Sequence, residues 1–413
     1  WNLYRQRADG TGGAEALVEI EAEIGEPQWV FGGSRYAALG DGRIVFARWR
    51  DGFDGLALRC GDGSVVDLDL PFTLVRNLRA AGPSAVVAVA ATPVQEKSVV
   101  RIHLNQRDGV AKVQTIRAPR SLEDLGVRAE FISRPQPISF PSAGGRTAFA
   151  ILYEPANPDC EGPDGELPPL LVEIHGGPTG CARPELDLSI QYWTSRGFAV
   201  VDVNYGGSTG YGRPYRELLR GAWGVVDVED CLAAASWLAD ERRVDGPRMA
   251  IRGGSAGGYT TLAALARPDT PFAAGADYFG VADLEALAIE THKFESRYLD
   301  SLVGPYPEAR EVYLERSPIR HVESFSRPLI VLQGLEDEVV PPNQSTMIVE
   351  ALQRKGVPVA YVPFEGEQHG FRRAASIRTA LESELSFYAQ LFGFEPPASE
   401  RIEPVEIYRA VQP

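Results

Sequence analysis

A chain of 413 residues is long for one compact core, so two domains are expected, each able to bury an extensive apolar interior. Hydrophobic residues make up 44% and charged residues 23%, with 42 Gly and 31 Pro; that balance excludes a disordered or fibrous chain and suits a turn-rich globular one. The formal charge of −15 would repel phosphate backbones and anionic membranes, which argues against nucleic acid or membrane as a partner, and no apolar run approaches the ~20 residues that span a bilayer.

In chain order, Trp1-Asn2-Leu3-Tyr4-Arg5 reads as the middle of a β-strand, so an export signal, if encoded, would lie upstream of it. From Trp1 to about Val127, short alternating or β-branched runs are punctuated by Asp9-Gly10, Asp51-Gly52, Asp62-Gly63 and Asp108-Gly109. Such pairs mark tight hairpins because Gly accepts the positive φ they require. The strand over residues 43–48 and those near Ala57 and Val65 recur about 43 residues later near Ser84, Val99 and Ala111, a period that suits a four-stranded propeller blade. Residues 1–128 are therefore expected to supply about two and a half C-terminal blades of a β-propeller, which needs further blades to close.

From about Phe131 the rhythm changes to strands alternating with helical stretches, the pattern of an α/β fold, so residues 129–413 are expected to form the second domain. Residues 170–174, 198–202, 248–251 and 328–332 read as buried parallel strands, and residues 228–238 and 260–266 as helices. In such a sheet ligands bind beyond the carboxyl ends of the strands. Four cysteines, Cys60, Cys160, Cys181 and Cys231, show no C-x-x-C spacing, so neither a metal site nor a disulfide scaffold is indicated.

The residues that follow strands carry the chemistry. After Met249-Ala250-Ile251 comes Gly253-Gly254-Ser255-Ala256-Gly257-Gly258, which fits G-x-S-x-G between a strand and a helix and makes Ser255 the candidate nucleophile of an α/β-hydrolase. A serine hydroxyl needs an adjacent base. In this fold the chain order is serine, acid, histidine, and of the five histidines only His369 lies beyond the acidic cluster Glu336-Asp337-Glu338 that follows residues 328–332. Asp337, with the short side chain that suits a tight post-strand turn, is preferred over Glu336 and Glu338 as the residue that orients His369. Donors for a developing oxyanion are expected from the Ala256 N–H and from the Gly177 N–H in His175-Gly176-Gly177-Pro178. A histidine base also implies that activity falls on acidification.

The motifs HGGP, NYGGSTGYG (residues 204–212), GGSAGGY (253–259), GLEDEVVP (334–341) and EQHGF (367–371), in that order, resemble the prolyl oligopeptidase family of serine peptidases, nearest its acylaminoacyl-peptidase and dipeptidyl-peptidase branches. The resemblance implies an α/β-hydrolase domain behind a propeller that admits short peptides. It also implies hydrolysis through an acyl-enzyme without metal or cofactor, and Ser255, Asp337 and His369 as the triad. Some relatives place a tyrosine hydroxyl in the oxyanion hole where this chain has His175, which implies the backbone-donor variant here. The resemblance further places Ala256, Tyr259, Val281, Leu284, Phe294 and Val340 around an apolar specificity pocket. A peptidase acting from the N-terminal end of short peptides or peptide-like amides is the leading expectation, and an esterase or amidase acting on a small metabolite the alternative. A cytoplasmic location and a homo-oligomer are also expected.

Overall fold

The structure, a computed structural model, describes residues 1–27, 29, 31–105, 109–397 and 401–409; Asp108 of the expected fourth Asp-Gly turn lies outside the described residues. The first part of the chain is all β. Strands β1 (Leu3–Arg5) and β2 (Glu15–Val18) pair with each other. Strands β3 (Tyr36–Ala38), β4 (Ile44–Arg50), β5 (Phe53–Arg59) and β6 (Val65–Leu68) form one antiparallel four-stranded meander. A second follows from β7 (Leu74–Ala80), β8 (Ala85–Thr92), β9 (Gln95–Leu104) and β10 (Val110–Arg117). Asp51 and Gly52, at φ 53° and 80°, make the tight β4–β5 turn that the Asp-Gly pair predicts. The inward side chains of the two meanders, among them Val45, Leu58, Val86 and Ile102, share one apolar core.

The second part is built on an eight-stranded sheet. Its strands are β11 (Gln136–Pro141), β12 (Thr147–Tyr153), β13 (Leu170–Ile174), β14 (Ala199–Asn204), β15 (Met249–Gly254), β16 (Ala274–Tyr278), β17 (Leu329–Gly334) and β18 (Val359–Phe364), in spatial order 11-12-14-13-15-16-17-18. The β11–β12 and β12–β14 pairs are antiparallel and the remaining neighbours parallel, the topology of an α/β-hydrolase. Helices α1 (Leu188–Thr194), α2 (Arg213–Arg216), α3 (Val226–Asp240), α4 (Ala256–Leu265), α5 (Leu284–Glu290), α6 (Leu299–Leu302), α7 (Arg310–Arg316), α8 (Pro342–Lys355) and α9 (Ala374–Phe392) complete it.

The parallel strands are apolar on both faces because helices cover both. Val172, Val201 and Val331 point into a core shared with Cys231 of α3, Leu262 of α4 and Ile348 of α8. Their neighbours Leu171, Val200 and Ile330 point the other way, onto Trp193 of α1 and Phe387 of α9. The helices start and stop where local chemistry dictates. Asp283 caps α5 by accepting from the N–H groups of Glu285 and Ala286, Pro342 opens α8, and Gly356 at φ 81° closes it. Among the described residues no helix is long and apolar enough to cross a membrane.

Candidate active site

Ser255 sits between the end of β15 and the start of α4 at φ 58°, ψ −120°, a left-handed strain that a non-glycine residue adopts only when its surroundings impose it. The surroundings here are close-packed backbone. A Cβ on Gly253 would lie 2.5 Å from the Gly257 carbonyl, one on Gly257 2.3 Å from the Ile174 oxygen, and one on Gly258 2.3 Å from Asp277 Oδ1. The Ser255 N–H donates to the Tyr278 oxygen at 2.9 Å, which ties the turn to β16. The first-turn amides of α4, Ala256 among them, have no partner inside the helix, and no side chain caps them.

The loop after β13, expected to supply an oxyanion donor, crosses beside the serine. Gly176 approaches so closely that a Cβ would stand 3.3 Å from the Gly254 oxygen and 3.6 Å from Ser255 Cβ. Gly177, at φ 121°, is a conformation that glycine serves, and a Cβ there would lie 2.7 Å from the Gly180 nitrogen. His175 does not face the serine. Its Nε2 lies 2.7 Å from Ser208 Oγ and its ring stacks on Tyr205 at 4.4 Å, and burial pushes its pKa down to about 4, so it stays neutral.

Beyond β17 the chain turns at Gly334, where a Cβ would meet the Gln368 oxygen at 2.4 Å. This turn buries Asp337 and leaves Glu336 and Glu338 exposed. Asp337 Oδ1 accepts the N–H groups of Val339 and Val340, each at 2.9 Å, and Oδ2 lies 2.7 Å from His369 Nδ1. With Nδ1 held there, Nε2 is the ring nitrogen left for a proton from the cavity, which His369 and Ser255 both line. Phe279, also at positive φ (43°), packs its ring 4.8 Å from the His369 ring and lies 3.0 Å from the Cβ position of Gly254, so it touches both base and elbow. No sequence motif points to Phe279.

The cavity over Ser255 encloses about 560 Å³. Gly177, Ala256, Val281, Phe294 and Val340 line it. The expectation for Tyr259 and Leu284 needs correction, since neither is part of the lining. Tyr259 is fully buried, with its hydroxyl donating to the Arg316 oxygen at 3.0 Å and its ring against Trp223 at 4.5 Å, so that Trp223 forms the wall in its place. Leu284 is buried at the first turn of α5, where its N–H is taken by Ser317 Oγ, and Leu287 one turn on reaches the cavity. Trp29 and Tyr298, with ring centroids 6.1 Å apart, add an aromatic wall that no motif announces. Among the described residues no cluster of His, Cys, Asp and Glu could hold a metal.

Fold and strand-end serine define an α/β-hydrolase. The prolyl oligopeptidase family matches residues 184–395, and the chain belongs to that family of serine peptidases. Two solved structures align along nearly the whole chain, each with a TM-score of 0.91: a Mycobacterium tuberculosis puromycin-hydrolyzing peptidase, 44% identical over 98% of this chain, and a puromycin hydrolase, 42% identical over 99%. The chain spans 60% of the length of each. Dipeptidyl aminopeptidase BIII of Pseudoxanthomonas mexicana is 31% identical over 265 residues, 62% of this chain and 38% of that protein.

Proposed function

We propose that this chain is the catalytic part of a serine peptidase that removes residues from the N-terminal end of short peptides or peptide-like amides. Residues 129–413 are the hydrolase domain, and residues 1–128, with two four-stranded meanders and a two-stranded remainder, are the last blades of a β-propeller that limits access. The observation that carries the reading is the buried carboxylate of Asp337 at 2.7 Å from His369 Nδ1, with His369 and Ser255 on one cavity.

In the mechanism, Ser255 Oγ attacks the scissile carbonyl carbon while His369 Nε2 takes its proton, and Asp337 stabilises the imidazolium that forms. The N–H groups of Gly177 and Ala256 receive the carbonyl oxygen as it becomes negative. Collapse breaks the C–N bond, His369 returns the proton to the departing amine, and an acyl ester on Ser255 remains. Water then adds with His369 again as base, releasing the acid and free Ser255. The aromatic wall of Trp29, Trp223, Phe294 and Tyr298 suits an aromatic side chain next to the cleaved bond, and an aminoacyl amide such as puromycin, named for the two structural neighbours, is a candidate substrate.

Matched chromogenic amides of one aromatic residue, with a free or an acetylated α-amine, test this on the full-length protein against Ser255→Ala. Cleavage of the free-amine substrate, abolished in Ser255→Ala, is the expected result. Turnover of simple esters with both amides left intact would replace the peptidase by an esterase of small metabolites.

A further inference from the structure

The N-terminal β region reaches the connection after β14 through a buried carboxylate. Glu23 is fully buried and is held to β4 by an isolated antiparallel bridge, with the Glu23 N–H donating to the Trp49 oxygen at 3.2 Å and the Trp49 N–H to the Glu23 oxygen at 2.8 Å. Its side chain turns toward residues 210–216, with the Trp1 amine 3.5 Å from Oε1. Glu23 Oε2 accepts the N–H groups of Gly210 at 2.8 Å and Gly212 at 3.3 Å, and Oε1 pairs with the guanidinium of Arg216. Both glycines have positive φ, 110° and 85°, and a Cβ on Gly210 would stand 3.2 Å from the Trp49 indole, so the connection after β14 is pressed onto Trp49.

The same connection grips the oxyanion loop on its other side. The Tyr205 hydroxyl donates to the Pro178 oxygen at 2.5 Å, Ser208 Oγ meets His175 Nε2 at 2.7 Å, and Thr209 Oγ1 donates to the Thr179 oxygen at 2.8 Å. The Thr209 N–H donates to the Gly180 oxygen at 2.9 Å. Every residue from 178 to 180 thus has its carbonyl fixed from residues 205–209, directly after Gly177. A buried carboxylate is tolerated where N–H donors and a cation meet it, and each such bond to a charged group is stronger than a neutral one.

We propose that Glu23 is a positioning residue for the oxyanion hole: it locks residues 205–212 in place, and they set the direction of the Gly177 N–H. The proposal rests on the serine-hydrolase mechanism above. It makes the β region part of the catalytic apparatus as well as a barrier to access.

The test compares full-length wild type with Glu23→Gln, Thr209→Val and, as control, Glu15→Gln, which touches only an exposed ion pair with Arg5 in the same β region. Glu23→Gln keeps the shape but turns one acceptor into a donor. Amide kcat is expected to fall about 10- to 100-fold with KM within about threefold, less than the 10²–10³ that loss of a whole oxyanion donor costs. Affinity for a peptidyl trifluoromethyl ketone, whose carbonyl oxygen enters the hole when Ser255 Oγ adds to the ketone carbon, should fall by a similar factor. Affinity for the cleaved amino-acid product should not change.

Thr209→Val, which breaks a later link and leaves Glu23 intact, should show the same pattern more weakly and decides the matter if Glu23→Gln does not fold. Glu15→Gln should match wild type. Unchanged kcat and ketone affinity in the two variants, with or without a lower Tm, would reduce Glu23 to a packing residue and overturn the proposal. A wild type that neither cleaves amides nor labels at Ser255 with a fluorophosphonate would instead sink the mechanism itself.

Discussion

The strand ends and the pocket wall of this molecule follow different rules. Ser255, Asp337 and His369 lie beyond β15, β17 and β18 of a sheet packed on both faces, and the turns that carry them pass glycines where no Cβ fits. The wall supplied by residues 287–299 runs from the end of α5 through successive turns, and Phe294 on it is 66% exposed. Backbone packing dictates the first group, whereas only side-chain choice defines the second. Changes at strand ends should therefore cost rate, and changes on the wall should retune binding.

The largest effect is expected at Asp337. Asp337→Asn preserves the shape but cannot hold His369 in the required tautomer, so kcat should drop about 10⁴-fold with unchanged circular dichroism. Glu336→Gln and Glu338→Gln, on exposed neighbours, should stay within about twofold. Equal losses at all three positions in steady-state kinetics would erase the distinction between buried orienter and solvated turn charge.

On the wall, Phe294→Ala should raise KM for an aromatic aminoacyl amide about tenfold and leave kcat nearly unchanged, since it removes apolar contact made equally in ground and transition states. A collapse of kcat with KM constant would move Phe294 into the catalytic group.

The last expectation concerns stability and leaves the rate aside. Asp277 lies under the elbow against Gly258 and Gly280, and burial raises its pKa from 3.8 to about 7. Between these values the folded protein keeps a proton that the unfolded chain has lost, so this group makes stability decline as pH rises from about 4 through 7. Asp277→Asn removes the decline. Its Tm relative to wild type should rise between pH 5 and pH 8; a constant difference across that range would show that the carboxyl is ionised throughout.

The residues legible in sequence are those whose position is a property of the backbone. G-x-S-x-G after a strand locates Ser255 because the turn admits few residues, and chain order isolates His369 among five histidines. The strands of the hydrolase sheet are legible because apolar runs of that length flanked by turns suit a sheet covered on both faces. Phe279, Trp29 and Trp223 were not legible, because they arrive from distant chain positions and are selected by packing alone. Tyr259 and Leu284 were misplaced for a related reason: a resemblance carried over by motif does not say whether a side chain of this chain faces the cavity or the core behind it. Glu23 carries no signal either, as its partners Gly210 and Gly212 lie nearly two hundred residues away and offer only backbone.

Trp29 is 42% exposed while standing edge-on to Tyr298 at the cavity wall. A ligand seated over Ser255 must cover part of that indole, so occupancy is written into the protein's own emission. A blue shift and reduced quenching by iodide on adding a non-hydrolysed aromatic amide to Ser255→Ala, absent in the further variant Trp29→Phe, would give a dissociation constant with no label and no turnover.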